Sequence, residues 1–260
     1  MELKFCYPGV GYSVESILEF TKEGQTGFWS EPVFFFFPQI DREGFLSGTT
    51  EDRRRYLTGF FAEYAAQMKD ELAEKIEAYN RQWQENRASV TAALEEAFDT
   101  DLTDELSDLC ARVTFNPISP RYLEDHAFDV FYRNGPKGAL GSSLHEIIHF
   151  VWFLVWQRHF HDDPREYETP HLKWIFSEMA VEPVMRDERL ASLNPYYASK
   201  SCVYPYFYTL EIQGEKLLDH LYDMYRSMPI DRFMKWGYDY CLEHESQIRE
   251  HMEKAEKGEG

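Results

Sequence analysis

The stretch GSSLHEIIHFVWFLVWQRHF, Gly141 to Phe160, sets His145, Glu146 and His149 in an otherwise apolar run. Leu144, Ile147, Ile148, Phe150, Val151, Phe153, Leu154 and Val155 cover nearly every direction around a helix, so this helix is expected to be buried all round. Two imidazoles and a carboxylate are costly to bury unless something binds them. Any fold of this chain must therefore supply them with a partner.

On a helix, residues i and i+4 lie one above the other. His145 and His149 can thus present two ring nitrogens to a single point. Zinc suits such a pair: it takes neutral imidazole at about 2.0–2.1 Å and usually wants four ligands, one of them water at a catalytic site. Glu146 points sideways to where that water sits, as a general base on a water already acidified towards a pKa of about 7. This is the H-E-x-x-H logic of zinc metalloproteases. The competing reading is a pair of core histidines satisfied by neighbouring carboxylates.

A third protein ligand is needed. Trp152 and Val155 stand where the metzincin pattern has Gly and His, which excludes that class. A glutamate on the next helix is the other common solution, and FSEMAVEPV offers Glu178 and Glu182, one turn apart on one face. The first follows His149 by roughly 30 residues, a reasonable distance for an antiparallel helix pair. His145-Glu146-x-x-His149 followed by Glu178-x-x-x-Glu182 resembles the gluzincin group of zinc metallopeptidases, to which the thermolysin-type enzymes belong. The resemblance covers about 40 residues. It implies that Glu178 is the third zinc ligand, with one zinc per chain, and that Glu182 holds a ligand histidine from behind and fixes its tautomer. The family usually has Asp at that later position; here it is Glu182, followed by Pro183, which leaves Glu182 as the alternative third ligand.

The implied fold is α+β and predominantly helical. It is zincin-like, with a small antiparallel sheet beside the buried motif helix and additional N- and C-terminal helices. A single domain over 1–255 is expected, with a metal-binding core at 110–195 and a frayed tail at 256–260. MELKFCY, PVFFFFPQI, ARVTFNP and HAFDVFYR read as strands. FDVFYR, its alternation suited to one exposed face, occupies the place of the antiparallel edge strand that in zincins pairs with an extended peptide. Thr49 or Thr50 is expected to cap a long amphipathic helix running to Trp83, with a further helix at SVTAALEEAF. Ser142 or Ser143 is expected to cap the motif helix, and Thr169 the next one, which Pro183 ends or kinks.

A net charge of −19 argues against sequence-independent binding to nucleic acid or anionic lipid. The four scattered cysteines suit thiols in a reducing compartment. The N-terminus shows no signal-peptide pattern and the apolar run Phe150–Trp156 is too short to span a bilayer, so a cytoplasmic location is expected. A peptide or protein substrate follows from the resemblance. Tyr204, Tyr206, Tyr208 and His220 are candidate donors to a substrate carbonyl, and His159, His161 and His171 are alternative ligands. A binding protein that keeps the scaffold without the activity is the alternative function. A di-iron carboxylate bundle is rejected, because the only other E-x-x-H match, Glu168 to His171, straddles a helix start.

Overall fold

The computed structural model describes residues 1–258, which gather into two compact units. The first comprises Glu2–Trp83 and Asp108–Ala139; the second comprises Met1, Gln84–Ser107 and the chain from Leu140 onwards. Helices dominate, with a small mixed sheet and a separate two-stranded antiparallel one, an α+β architecture.

The first unit contains β1 (Leu3–Cys6), α1 (Val10–Phe20), α2 (Gly27–Phe36), α3 (Arg42–Ser47), α4 (Thr50–Gln67), α5 (Lys69–Phe98) as far as Trp83, β2 (Leu109–Thr114), β3 (Arg121–Tyr122) and β4 (Ala127–Phe131). The strand order is β1-β2-β4-β3. β1, β2 and β4 run parallel, and only β3 is antiparallel. This corrects two expectations. The sheet is mixed rather than antiparallel, and the FDVFYR strand is not a peptide-accepting edge, since β4 lies between β2 and β3. All five residues of β4 are buried, as strands of parallel sheets are. The alternation misled because Asp129 is buried with compensation: it accepts hydrogen bonds from Tyr12 Oη (2.8 Å) and Ser16 Oγ (2.7 Å) on α1. The edge strands are β1 and β3, and β1 is capped at Phe5 by a side chain. Asn80 on α5 accepts from Phe5 N–H and donates to Phe5 C=O, at 2.9 and 3.1 Å.

PVFFFFPQI is not a strand; most of it lies in α2. Helical spacing turns Val33 and Phe34, then Phe37 just past the end, into the core and leaves Phe35 78% exposed. Phe37 meets Phe61, Tyr64 and Tyr132, so tertiary aromatic packing overrides the strand propensity of the run. Thr49 does cap α4, within a reciprocal capping box with Asp52. The long amphipathic segment breaks at Met68, and SVTAALEEAF is the end of α5 rather than a separate helix.

The second unit contains the rest of α5, α6 (Pro136–Phe160, from Leu140), α7 (Leu172–Met185), α8 (Glu188–Ala191), α9 (Pro195–Ala198), β5 (Glu211–Ile212), β6 (Glu215–Lys216), α10 (Leu217–Ser227), α11 (Ile230–Glu243) and α12 (Glu245–Glu256). Residues 259–260 of the expected tail lie outside the described residues, and Glu256 still belongs to α12. The motif helix starts at Pro136, earlier than expected, so Ser142 and Ser143 lie inside α6. His171 rather than Thr169 precedes α7, and Pro183 sits in its last turn, two residues before the end. By length and composition α6 could cross a bilayer, but 78% of its apolar window is buried inside the protein. It is a core helix.

Aromatic rings lock α6 onto α7 and α11. Trp152 packs edge-on against Phe98, Phe176 and Phe233, at 6.2, 5.2 and 6.0 Å between centroids. Between the two helices Lys173 pairs with Asp162 (2.8 Å) and with Glu166, while Trp156 Nε1 donates to Asp162 at 3.0 Å. A Cβ at Gly237 on α11 would stand 2.7 Å from Phe176 Cζ. Helix preference favours alanine over glycine by about 1 kcal/mol, but overpacking costs about 1–3 kcal/mol. Gly237→Ala is therefore expected to lower stability by about 1 kcal/mol in urea unfolding; a variant more stable than wild type would show that the Phe176 ring yields freely.

Candidate metal centre

The i, i+4 geometry of α6 aims both motif imidazoles one way, and α7 brings Glu178 to meet them. His145 Nε2 lies 3.1 Å from His149 Nε2. Glu178 Oε2 lies 3.2 Å from the first and 3.4 Å from the second. His149 and Glu178 are buried and His145 is part-buried.

These separations carry chemical information. Ligands at about 2.0–2.1 Å from a tetrahedral zinc stand roughly 3.3–3.4 Å from one another. The three donor atoms have close to that mutual spacing. Two buried carboxylates beside two imidazoles also gather negative charge that a cation would offset. Donor set and spacing both fit zinc.

The tautomer of His145 is set from outside the motif. Its Nδ1 donates to the backbone carbonyl of Cys202 at 2.7 Å, which turns the Nε2 lone pair to the centre. Burial works against its charged form, yet Glu146 and Glu178 outweigh it and push its pKa up to about 9. The Glu146 carboxylate, buried, stands 4.0 Å from His145 Nε2. It lies within 4.8 Å of both imidazole donors, but Glu178 is nearer, so by distance Glu178 completes the triad and Glu146 sits beside it.

Glu182 does not join this cluster. Arg186 Nε donates to its two oxygens at 2.9 and 3.0 Å, and Arg186 Nη2 reaches on to Asp219 at 2.8 Å. Burial pushes the Glu182 carboxyl up against the pull of Arg186. The histidine-orienting part expected of Glu182 is taken by the Cys202 carbonyl. A backbone acceptor leaves no mark in a sequence, so no motif could have revealed it. Glu182 instead lines a cleft of about 440 Å³ with Arg186, Tyr197, Tyr208 and Tyr222.

The other candidates separate clearly. Tyr206, buried beneath Tyr204 with rings stacked at 5.3 Å, has its hydroxyl proton held tightly by burial and by the charges of Glu256 and Glu178. That places it within electrostatic reach of the triad. Tyr208 contacts the Cys202 thiol at 3.1 Å, and His220 pairs with Glu215 at 3.0 Å. His159, His161 and His171 are all exposed. Neither a protein-family model, nor a curated protein, nor a solved structure matches this chain.

Proposed function

We propose that this protein is a zinc-dependent peptidase holding one zinc per chain through His145, His149 and Glu178. The observation that carries the reading is the mutual spacing of their donor atoms, 3.1, 3.2 and 3.4 Å. When bound, the ion supplies a Lewis acid that lowers the pKa of water to about 7 and polarises a carbonyl. The residues do the rest. The Cys202 carbonyl keeps His145 in the required tautomer. Glu146 takes the proton of the attacking water and returns it to the leaving amine. Phe153, buried and stacked on the His149 ring at 6.4 Å, excludes bulk water on that side and strengthens these electrostatic effects.

The zincin-like arrangement and a cytoplasmic location belong to this same proposal, supported by the helix pair around the donors and by four free cysteines. A peptide substrate must be held by something other than strand β4, which is already paired on both sides.

Metal content tests the reading. Protein purified without added metal, analysed by mass spectrometry, is expected to carry about one zinc per chain, and His149→Ala to carry none. The wild type is then expected to cleave members of a peptide library, and chelation to stop it. Failure of wild type to bind zinc even after add-back would mean that the histidines are satisfied by Glu178 alone, and the enzyme reading would fall.

A further inference from the structure

Cys6 and Cys110 are 104 positions apart in the chain, yet their sulfurs stand 3.1 Å apart. The cause is the parallel pairing of β1 and β2, which sets Lys4 beside Cys110 and Cys6 beside Arg112. Side chains alternate across a sheet. Leu3, Phe5, Leu109 and Ala111 therefore fill the buried face, while Lys4, Cys6, Cys110 and Arg112 share the other, which is part-exposed. A disulfide bond is about 2.05 Å long, so closure requires an approach of about 1 Å.

The two thiols are unequal. A hydrogen bond from Cys110 lowers the Cys6 pKa to about 6 against the effect of burial, with Arg112 and Lys4 helping. Cys110 is pushed far up by that same bond and by burial. Arg112 is itself anchored, donating to Tyr12 Oη and to Asp125 at 3.0 Å each. Cys6 is thus the thiol that gives up its proton more readily, and Cys110, its sulfur 3.1 Å away, is the one that keeps it. Cys202 and Cys241 differ from both: each is buried, and burial raises its pKa.

We propose that Cys6 and Cys110 form a thiol–disulfide exchange site that takes a small-molecule disulfide as its oxidant. The Cys6 thiolate attacks one sulfur of the oxidant, forming a mixed disulfide and expelling a first thiolate. The negative charge that held the proton on Cys110 is then gone. Cys110 loses its proton to water and attacks the Cys6 sulfur, closing the intramolecular bond and expelling a second thiolate. Two electrons pass from the cysteine pair to the oxidant, and both released thiolates take up protons as their own pKa values dictate. The net products are one protein disulfide and two small thiols.

The test uses the full chain with oxidised glutathione at neutral pH, acid quenching, alkylation under denaturing conditions and intact mass. Wild type is expected to lose about 2 Da and to keep alkylatable thiols only at Cys202 and Cys241, with a β1–β2 cross-linked peptide after digestion. Cys110→Ser is expected to stop at a glutathione adduct on Cys6, and Cys6→Ser to leave Cys110 unmodified. A glutathione adduct that persists on Cys6 in wild type, or four alkylatable thiols after exposure, would overturn the proposal. Neither reading involves the metal, so the outcome is independent of the peptidase assignment.

Discussion

Glu146→Gln is expected to leave about one zinc per chain and to lower kcat/KM about 10²–10⁴-fold, the usual contribution of general acid–base catalysis. Glutamine keeps the size and much of the polarity of the side chain but cannot accept a proton. The metal is expected to stay because Glu146 lies 4.0 Å from His145 Nε2, outside the spacing shared by the three candidate donor atoms. The paired measurement is metal content and hydrolysis of a peptide drawn from the library. Zinc retained with turnover lost assigns Glu146 to proton transfer. A variant within about tenfold of wild type would remove Glu146 from the mechanism, and a variant without zinc would make it a ligand.

The second large effect concerns pH and Asp129. Burial raises this carboxyl to about 6, although Ser16, Tyr12 and Arg112 favour its charged form. In the unfolded chain it returns to the ordinary value near 4. Between those values the folded protein binds more protons than the unfolded one, so stability falls as pH rises. The contribution of Asp129 is fully present below about 4 and is lost as pH climbs through about 6. Its size is about 3 kcal/mol, since each pKa unit is worth about 1.4 kcal/mol. Urea unfolding of wild type and Asp129→Asn at pH 4 and pH 7.5 isolates it, because other groups cancel in the difference. Wild type is expected to lose about 3 kcal/mol relative to the variant over that interval. A difference that does not change with pH would show that Asp129 ionises normally within the fold.

Local features were legible because they depend on covalent spacing. The i, i+4 rule alone aims His145 and His149 at one point. Sequence distance made Glu178 a reasonable third donor, and Thr49 followed by Asp52 marks a helix start. Where local rules failed, a distant contact had decided the matter. The phenylalanines of PVFFFFPQI carry strand propensity, but Phe37 is claimed by rings on α4 and on the segment after β4. FDVFYR alternates like a half-exposed strand, yet hydroxyls from α1 satisfy Asp129 and allow full burial. Glu182 is the exception: its partner Arg186 is an i, i+4 neighbour on α7, and the distant contribution is Asp219, which extends the pair.

The residues of this chain therefore specify, without further information, a buried helix bearing two imidazoles and a carboxylate that require a partner. Tertiary structure chose the partners. It selected Glu178 over Glu182, assigned the Cys202 carbonyl to orient His145, and paired Cys6 with Cys110 across two parallel strands. Helical periodicity is written into successive residues, whereas strand order and the path of a loop carbonyl depend on packing among segments 30 to 100 residues apart.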